Sequence, residues 1–238
     1  VSRYPPPGAL GPRLIARWAL ATQTSTVVVT GGEHVPADGP VLIAAHHYHH
    51  LLDGAVLIER LARPVHIVVA LDWAADTRQR WLMERACALA QWPVVLRPAS
   101  LAASRAYAPG ELARYVRRGL RDAAALLRDG RVVVVFPEGY PVVDPASGTS
   151  ARPPRDADGF LPFAGGFRTI GSFARHAGAG DVPIVPLGFA YAHDGRRWQI
   201  TARFGAALPA TAAADDVERA VRALSGPSAN GVSPHPTG

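Results

Sequence analysis

Apolar residues run along this chain in short blocks, separated by longer stretches where they recur every three or four positions. The blocks at 26–30, 40–45, 65–70, 94–96, 131–136, 183–189 and 198–204 predict strands. Helical spacing predicts helices over 9–22, 53–61, 78–90, 110–128, 167–176 and 215–224. The 40–45 strand is apolar on both faces, the signature of a parallel sheet covered on both sides. In 110–128, Leu112, Val116, Leu120 and Leu127 form one stripe, with charges elsewhere. Short strands alternating with helices give an α/β fold, a layered α/β/α domain with a mostly parallel central sheet. Such sheets bind ligands outside the carboxyl ends of their strands.

The domain organisation follows the same pattern. Residues 1–25 read as a leader and N-terminal helix, 26–225 as one catalytic domain, and 226–238 as a disordered tail. In the first helix Leu10, Leu14, Ile15, Trp18 and Ala19 alternate with Arg13 and Arg17. That pattern fits packing on the core, or an interfacial helix with arginines at lipid headgroups and Trp18 at the acyl boundary. The stretch 141–158, rich in Pro, Asp, Gly and Ser, is long enough to be a functional lid or a partly disordered loop.

Composition narrows the function classes. With 238 residues, 48% of them hydrophobic, the chain can bury one sizeable core. The single Cys87 forms no intrachain disulfide and suits a reducing compartment. No signal-like apolar segment opens the sequence, and no apolar run reaches the roughly 20 residues that span a bilayer. The net charge of +6, carried by arginine alone, favours anionic partners such as lipid headgroups or phosphorylated substrates. The arginines are scattered without interleaved aromatics, so nucleic acid is not an expected partner. The expected location is cytoplasmic and peripheral, on the inner face of the cell membrane.

The chemistry concentrates in three clusters at predicted strand ends. After the 40–45 strand come His46, His47, Tyr48, His49, His50 and, two leucines later, Asp53. An imidazole held by a carboxylate makes a general base near neutral pH. After 131–136 stand Phe136, Pro137, Glu138 and Gly139, a rigid turn whose amides can bind an anion and whose carboxylate can accept from hydroxyls. Arg97 closes the 94–96 strand, where its planar fork suits a phosphate.

Taken in order, His-x5-Asp, an apolar-Arg-Pro segment, Phe-Pro-Glu-Gly and Pro183-Ile184-Val185-Pro186 resemble the glycerolipid acyltransferase family. These are the bacterial 1-acylglycerol-3-phosphate acyltransferases and their relatives. The resemblance extends over residues 26–206 and includes the lead-in 27–36. It implies O-acyl transfer from an acyl thioester (acyl-CoA or acyl-carrier protein, used as co-substrate, with no cofactor) to a lysolipid or glycerol-phosphate-like acceptor. Members of the family with five residues in the spacer align His47 with Asp53 and put His46 at the usual asparagine. The resemblance thus implies His47 as base and Asp53 as its orienting carboxylate, with Arg97, Phe136, Pro137, Glu138 and Gly139 binding substrate. His46, His49 and His50 remain rivals for the base, His49 because it lies four residues from Asp53. The chain departs from members selective for phosphorylated acceptors in carrying Tyr140-Pro141 after Glu-Gly and Ala164 after Pro162-Phe163; Arg152, Arg155 and Arg168 are downstream basic residues. Two other classes fit parts of the sequence: a metal-dependent hydrolase using the histidine cluster, and a non-catalytic lipid-surface binding protein.

Overall fold

The computed structural model describes residues 10–97, 106–144 and 153–226. The leader, the middle of the 141–158 stretch and the tail from 227 onward lie outside the described residues. In chain order the elements begin with α1 (Leu10–Gln23), β1 (Thr24–Thr30), β2 (Val41–Ala45) and α2 (Leu52–Arg60). Next come β3 (Val65–Ile67), β4 (Val69–Ala70), α3 (Thr77–Ala90), β5 (Val94–Val95) and α4 (Leu112–Arg128). The series ends with β6 (Val132–Val135), α5 (Gly166–His176), β7 (Ile184–His193), β8 (Trp198–Phe204) and α6 (Ala214–Leu224).

The main sheet has six strands in the order β1-β8-β7-β2-β6-β3. Its pairings are parallel except β7 with β8, which is antiparallel. Alternation along the central strands explains why they are apolar throughout. Val41, Ile43 and Ala45 of β2 join Val132 and Val134 of β6 beneath α1 and α2. Leu42, Ala44, Val133 and Val135 face the other way, toward α4, α5 and α6. The result is the layered α/β/α arrangement with a mostly parallel sheet.

Three local differences from the sequence pattern have clear causes. The 65–70 run is two strands: Val68 still donates to Val134 O, but Val69 and Ala70 leave β6 to pair with β5 in a separate two-stranded sheet. The 183–189 strand runs on to His193, because an Asp194 turn returns the chain as β8 alongside it. In α1 the buried edge is Ala16, Ala19 and Leu20, whereas Leu14, Ile15 and Trp18 stay 60–68% exposed. Small residues let α1 lie close on α2, and the bulky stripe turns outward.

Candidate active site

The three clusters meet at the carboxyl ends of β2, β5 and β6, where a parallel sheet exposes its crevice. β2 ends at Ala45, and the next six residues form a turn into α2, whose first turn holds Asp53. Asp53 is fully buried. Its Oδ2 accepts from His47 Nδ1 at 2.9 Å and from the amides of Tyr48 and His49 at 2.8 and 3.0 Å. Its Oδ1 accepts from the Tyr191 hydroxyl at 2.6 Å. An ionised carboxylate only accepts, so in the neutral ring of His47 the proton sits on Nδ1 and the lone pair on Nε2. The ring stacks on Phe136 at 4.2 Å between centroids, and its side chain keeps 16% of its surface exposed.

The other three histidines have different partners. His49 Nδ1 accepts from the amides of Leu51 and Leu52, so this ring caps the start of α2. Burial, reinforced by the neighbouring His50, lowers its pKa to about 4 and keeps it neutral. His50 Nδ1 lies 3.3 Å from Val143 O. His46 Nδ1 stands 2.5 Å from Glu138 Oε1, its ring stacked on Phe160. The described residues contain no group of three His, Cys, Asp or Glu side chains that could hold a metal ion.

The Phe136–Gly139 turn closes with Gly139 N donating to Phe136 O at 2.9 Å. Gly139 sits at φ +74°, a conformation that costs a side chain strain. Pro137 O accepts from Ala164 N. Glu138 has no exposed side-chain surface. Its Oε1 also accepts from the His47 amide, and its Oε2 from Arg155 and the Leu161 amide. Burial pushes its carboxyl pKa up, but the hydrogen bonds and charge of His46 and the amides outweigh that and hold it below its usual range. Within the described residues Glu138 therefore braces the β2 turn against the 155–161 segment. Three backbone bonds tie the same turn to residues 142–143: Val142 N to His47 O, Val143 N to Tyr48 O, and His50 N to Val143 O.

Arg97 lies at the same rim. Its guanidinium pairs with the fully buried Asp72 carboxylate, Nη2 to Oδ2 at 2.8 Å and Nε to both oxygens at 3.0 Å. Nη1 donates to Gly139 O, and the plane lies 4.0 Å over the Tyr140 ring. Its side chain keeps 16% exposure. Arg155 points inward to Glu138 and to the carbonyls of Tyr140 and Gly159, Arg168 is exposed on α5, and Arg152 lies outside the described residues.

Sequence reasoning brought together His47, Asp53, Arg97 and the Phe136–Gly139 turn, and the structure places all of them at one edge. It missed Tyr191, Asp72 and the inward role of Arg155. Tyr191 lies in an apolar strand 138 residues from its partner, with no local signal. Asp72 had one: a lone acid directly after an apolar strand, before Trp73.

A family model described as acyltransferase matches residues 26–190. No curated protein matches the chain in sequence. Among solved structures, the crystal structure of the 1-acyl-sn-glycerophosphate (LPA) acyltransferase PlsC from Thermotoga maritima is similar with a TM-score of 0.55. The match covers 90% of this chain and 77% of that one at 17% identity, a likeness of fold.

Proposed function

The chain belongs to the acyltransferase family, and on that premise we propose that it transfers a fatty acyl group from an acyl thioester to a lysolipid or glycerol-phosphate-like hydroxyl. The donor in this reading is acyl-CoA or acyl-carrier protein. The observation that carries the reading is the His47–Asp53 pair, with Nδ1 bound to the buried carboxylate and the imidazole side chain still partly exposed.

His47 Nε2 takes the proton of the acceptor hydroxyl as its oxygen attacks the thioester carbonyl. The carbon–sulfur bond breaks, the new ester forms, and the proton leaves with the thiol. Asp53 keeps the ring in the tautomer that leaves Nε2 free and offsets the imidazolium charge. The thioester is already activated, so the transfer draws on no further cofactor. Cys87, buried with its thiol pKa pushed up to about 11 by burial, is unsuited to act as a nucleophile. Arg97, fixed by Asp72 beside the Gly139 turn, is the proposed contact for an acceptor phosphate. Phe136 and Pro137 form the apolar wall beside the base, while Glu138 acts by holding the turn.

A peripheral position on the inner face of the cell membrane belongs to the same reading. No helix among the described residues is long and apolar enough to cross a membrane. Two helices instead present apolar residues beside arginines: Leu14, Ile15 and Trp18 with Arg17 on α1, and Trp81, Leu82 and Leu89 with Arg78 and Arg85 on α3.

The test is thiol release from palmitoyl-CoA with and without lysophosphatidic acid. Acceptor-dependent release that disappears in His47→Ala supports the reading. Release unaffected by that change removes His47 from the chemistry.

A further inference from the structure

Tyr191 is the feature of the site that the proposed reaction leaves without a role. It sits on β7, the strand paired with β2 on the side opposite β6. Every other side-chain or backbone donor to Asp53 among the described residues comes from the 47–49 turn, only four to six positions away. Those donors all converge on Oδ2. They tie one carboxylate oxygen to the turn but leave the rotation of the carboxylate about that oxygen unfixed. The Tyr191 hydroxyl alone engages Oδ1, at 2.6 Å, from a different element.

The tyrosine is itself rigidly held. Its ring stacks on Tyr48 at 4.4 Å with planes 7° apart, and Trp198 from β8 meets it edge-on at 5.7 Å. Burial, and after it the charge of Asp53, raises the phenol well above its usual pKa, so the hydroxyl stays a donor.

We infer that Tyr191 is a positioning residue for acyl transfer: by binding Oδ1 it fixes the Asp53 carboxylate so that Oδ2 meets His47 Nδ1 and Nε2 points at the acceptor. Tyr191 does not touch substrate and keeps its own proton throughout. The inference rests on the reading of His47 and Asp53 as base and orienting carboxylate.

Tyr191→Phe removes only the hydroxyl and retains the ring stack. The direct readout is the His47 Nδ1 proton in histidine-labelled protein, observed by NMR and identified by its loss in Asp53→Asn. This measurement requires no turnover. Its kinetic counterpart is thiol release from palmitoyl-CoA with lysophosphatidic acid in a double-mutant cycle of Tyr191→Phe with Asp53→Asn. The inference predicts a displaced or broadened Nδ1 resonance and kcat lowered about tenfold with KM unchanged, on the scale of one hydrogen bond to a charged group. It also predicts no further loss when Tyr191→Phe is added to Asp53→Asn. An unmoved resonance, or an equal loss in both backgrounds, overturns it and leaves Tyr191 a packing residue. A wild-type Nδ1 proton indifferent to Asp53→Asn overturns the base reading itself, which is a distinguishable failure.

Discussion

His46 Nδ1 stands 2.5 Å from Glu138 Oε1, one residue along from the pairing of His47 with Asp53. Two adjacent imidazoles thus each own a buried carboxylate, and the two carboxylates come from different segments of the chain. The pairing with Glu138 links β2 to the end of β6 and, through Arg155 and Leu161, to the segment beyond. Glu138→Ala strands an arginine, an imidazole and two amides in a closed space. A loss of about 3 kcal/mol is expected from breaking a buried pair on one side, read from urea unfolding midpoints. A shift within the noise of the titration would mean that the bracing is dispensable.

Glu138 also gives stability a pH dependence. Its folded pKa lies below its ordinary value, so its contribution is complete above the unfolded carboxylate pKa of about 4.3. That contribution is lost as the pH falls through the lower folded value. Unfolding free energy should therefore decline on the acid side of pH 4.3, and Glu138→Gln should flatten that decline. Parallel acid limbs for the two proteins would assign the effect to other carboxyls.

Replacing histidines one at a time should separate chemistry from capping. His47→Ala removes the base and should lower turnover by at least about a hundredfold, the usual range for general-base loss. His49→Ala removes the ring that accepts from Leu51 and Leu52, costing about 1 kcal/mol of stability in the manner of a lost helix cap while acyl transfer continues. Turnover lost in His49→Ala and retained in His47→Ala would reverse these roles.

The ion pair of Arg97 with Asp72 makes a prediction about acceptor choice. Asp72→Asn loosens the guanidinium without removing it, and KM for lysophosphatidic acid should rise several-fold while KM for the thioester holds. Arg97→Lys should not rescue, because an ammonium cannot engage Asp72 as a planar fork while reaching Gly139 O. Equal effects on lysophosphatidic acid and on a neutral monoacylglycerol would detach Arg97 from the phosphate.

The two outward apolar faces can be resolved by vesicle sedimentation. Binding to phosphatidylglycerol vesicles should exceed binding to phosphatidylcholine and weaken with salt. Leu14→Ser with Trp18→Ala, and separately Trp81→Ala with Leu82→Ser, identify the helix in contact. If both pairs bind as the unaltered protein does, neither face meets the bilayer.

Much of this was legible in the sequence, for a physical reason. Strands buried on both faces must be apolar throughout, so β2, β6 and the start of β7 announce themselves, and the polar residues just after them mark the crevice. His47 and Asp53 are close in sequence and lie at a strand-to-helix turn, so their meeting follows from local geometry. Tyr191 and Asp72 are different. Each makes its contact across the tertiary fold, one from inside an apolar strand and one from the branch where β4 leaves the main sheet, a departure the continuous 65–70 run conceals. For α1 the hydrophobic period located the helix and left core packing and an outward, interfacial stripe both open; Ala16, Ala19 and Leu20 form the side that packs.

Arg155 reaches Glu138 at 2.8 Å, whereas among the described residues no arginine pairs with Asp53. The two neighbouring imidazoles therefore sit in unequal electric environments. Beside His46 the negative charge is already balanced by a guanidinium; beside His47 it is not. The loop arginine thus anchors one carboxylate to the 155–161 segment, while the other is anchored to the sheet through Tyr191.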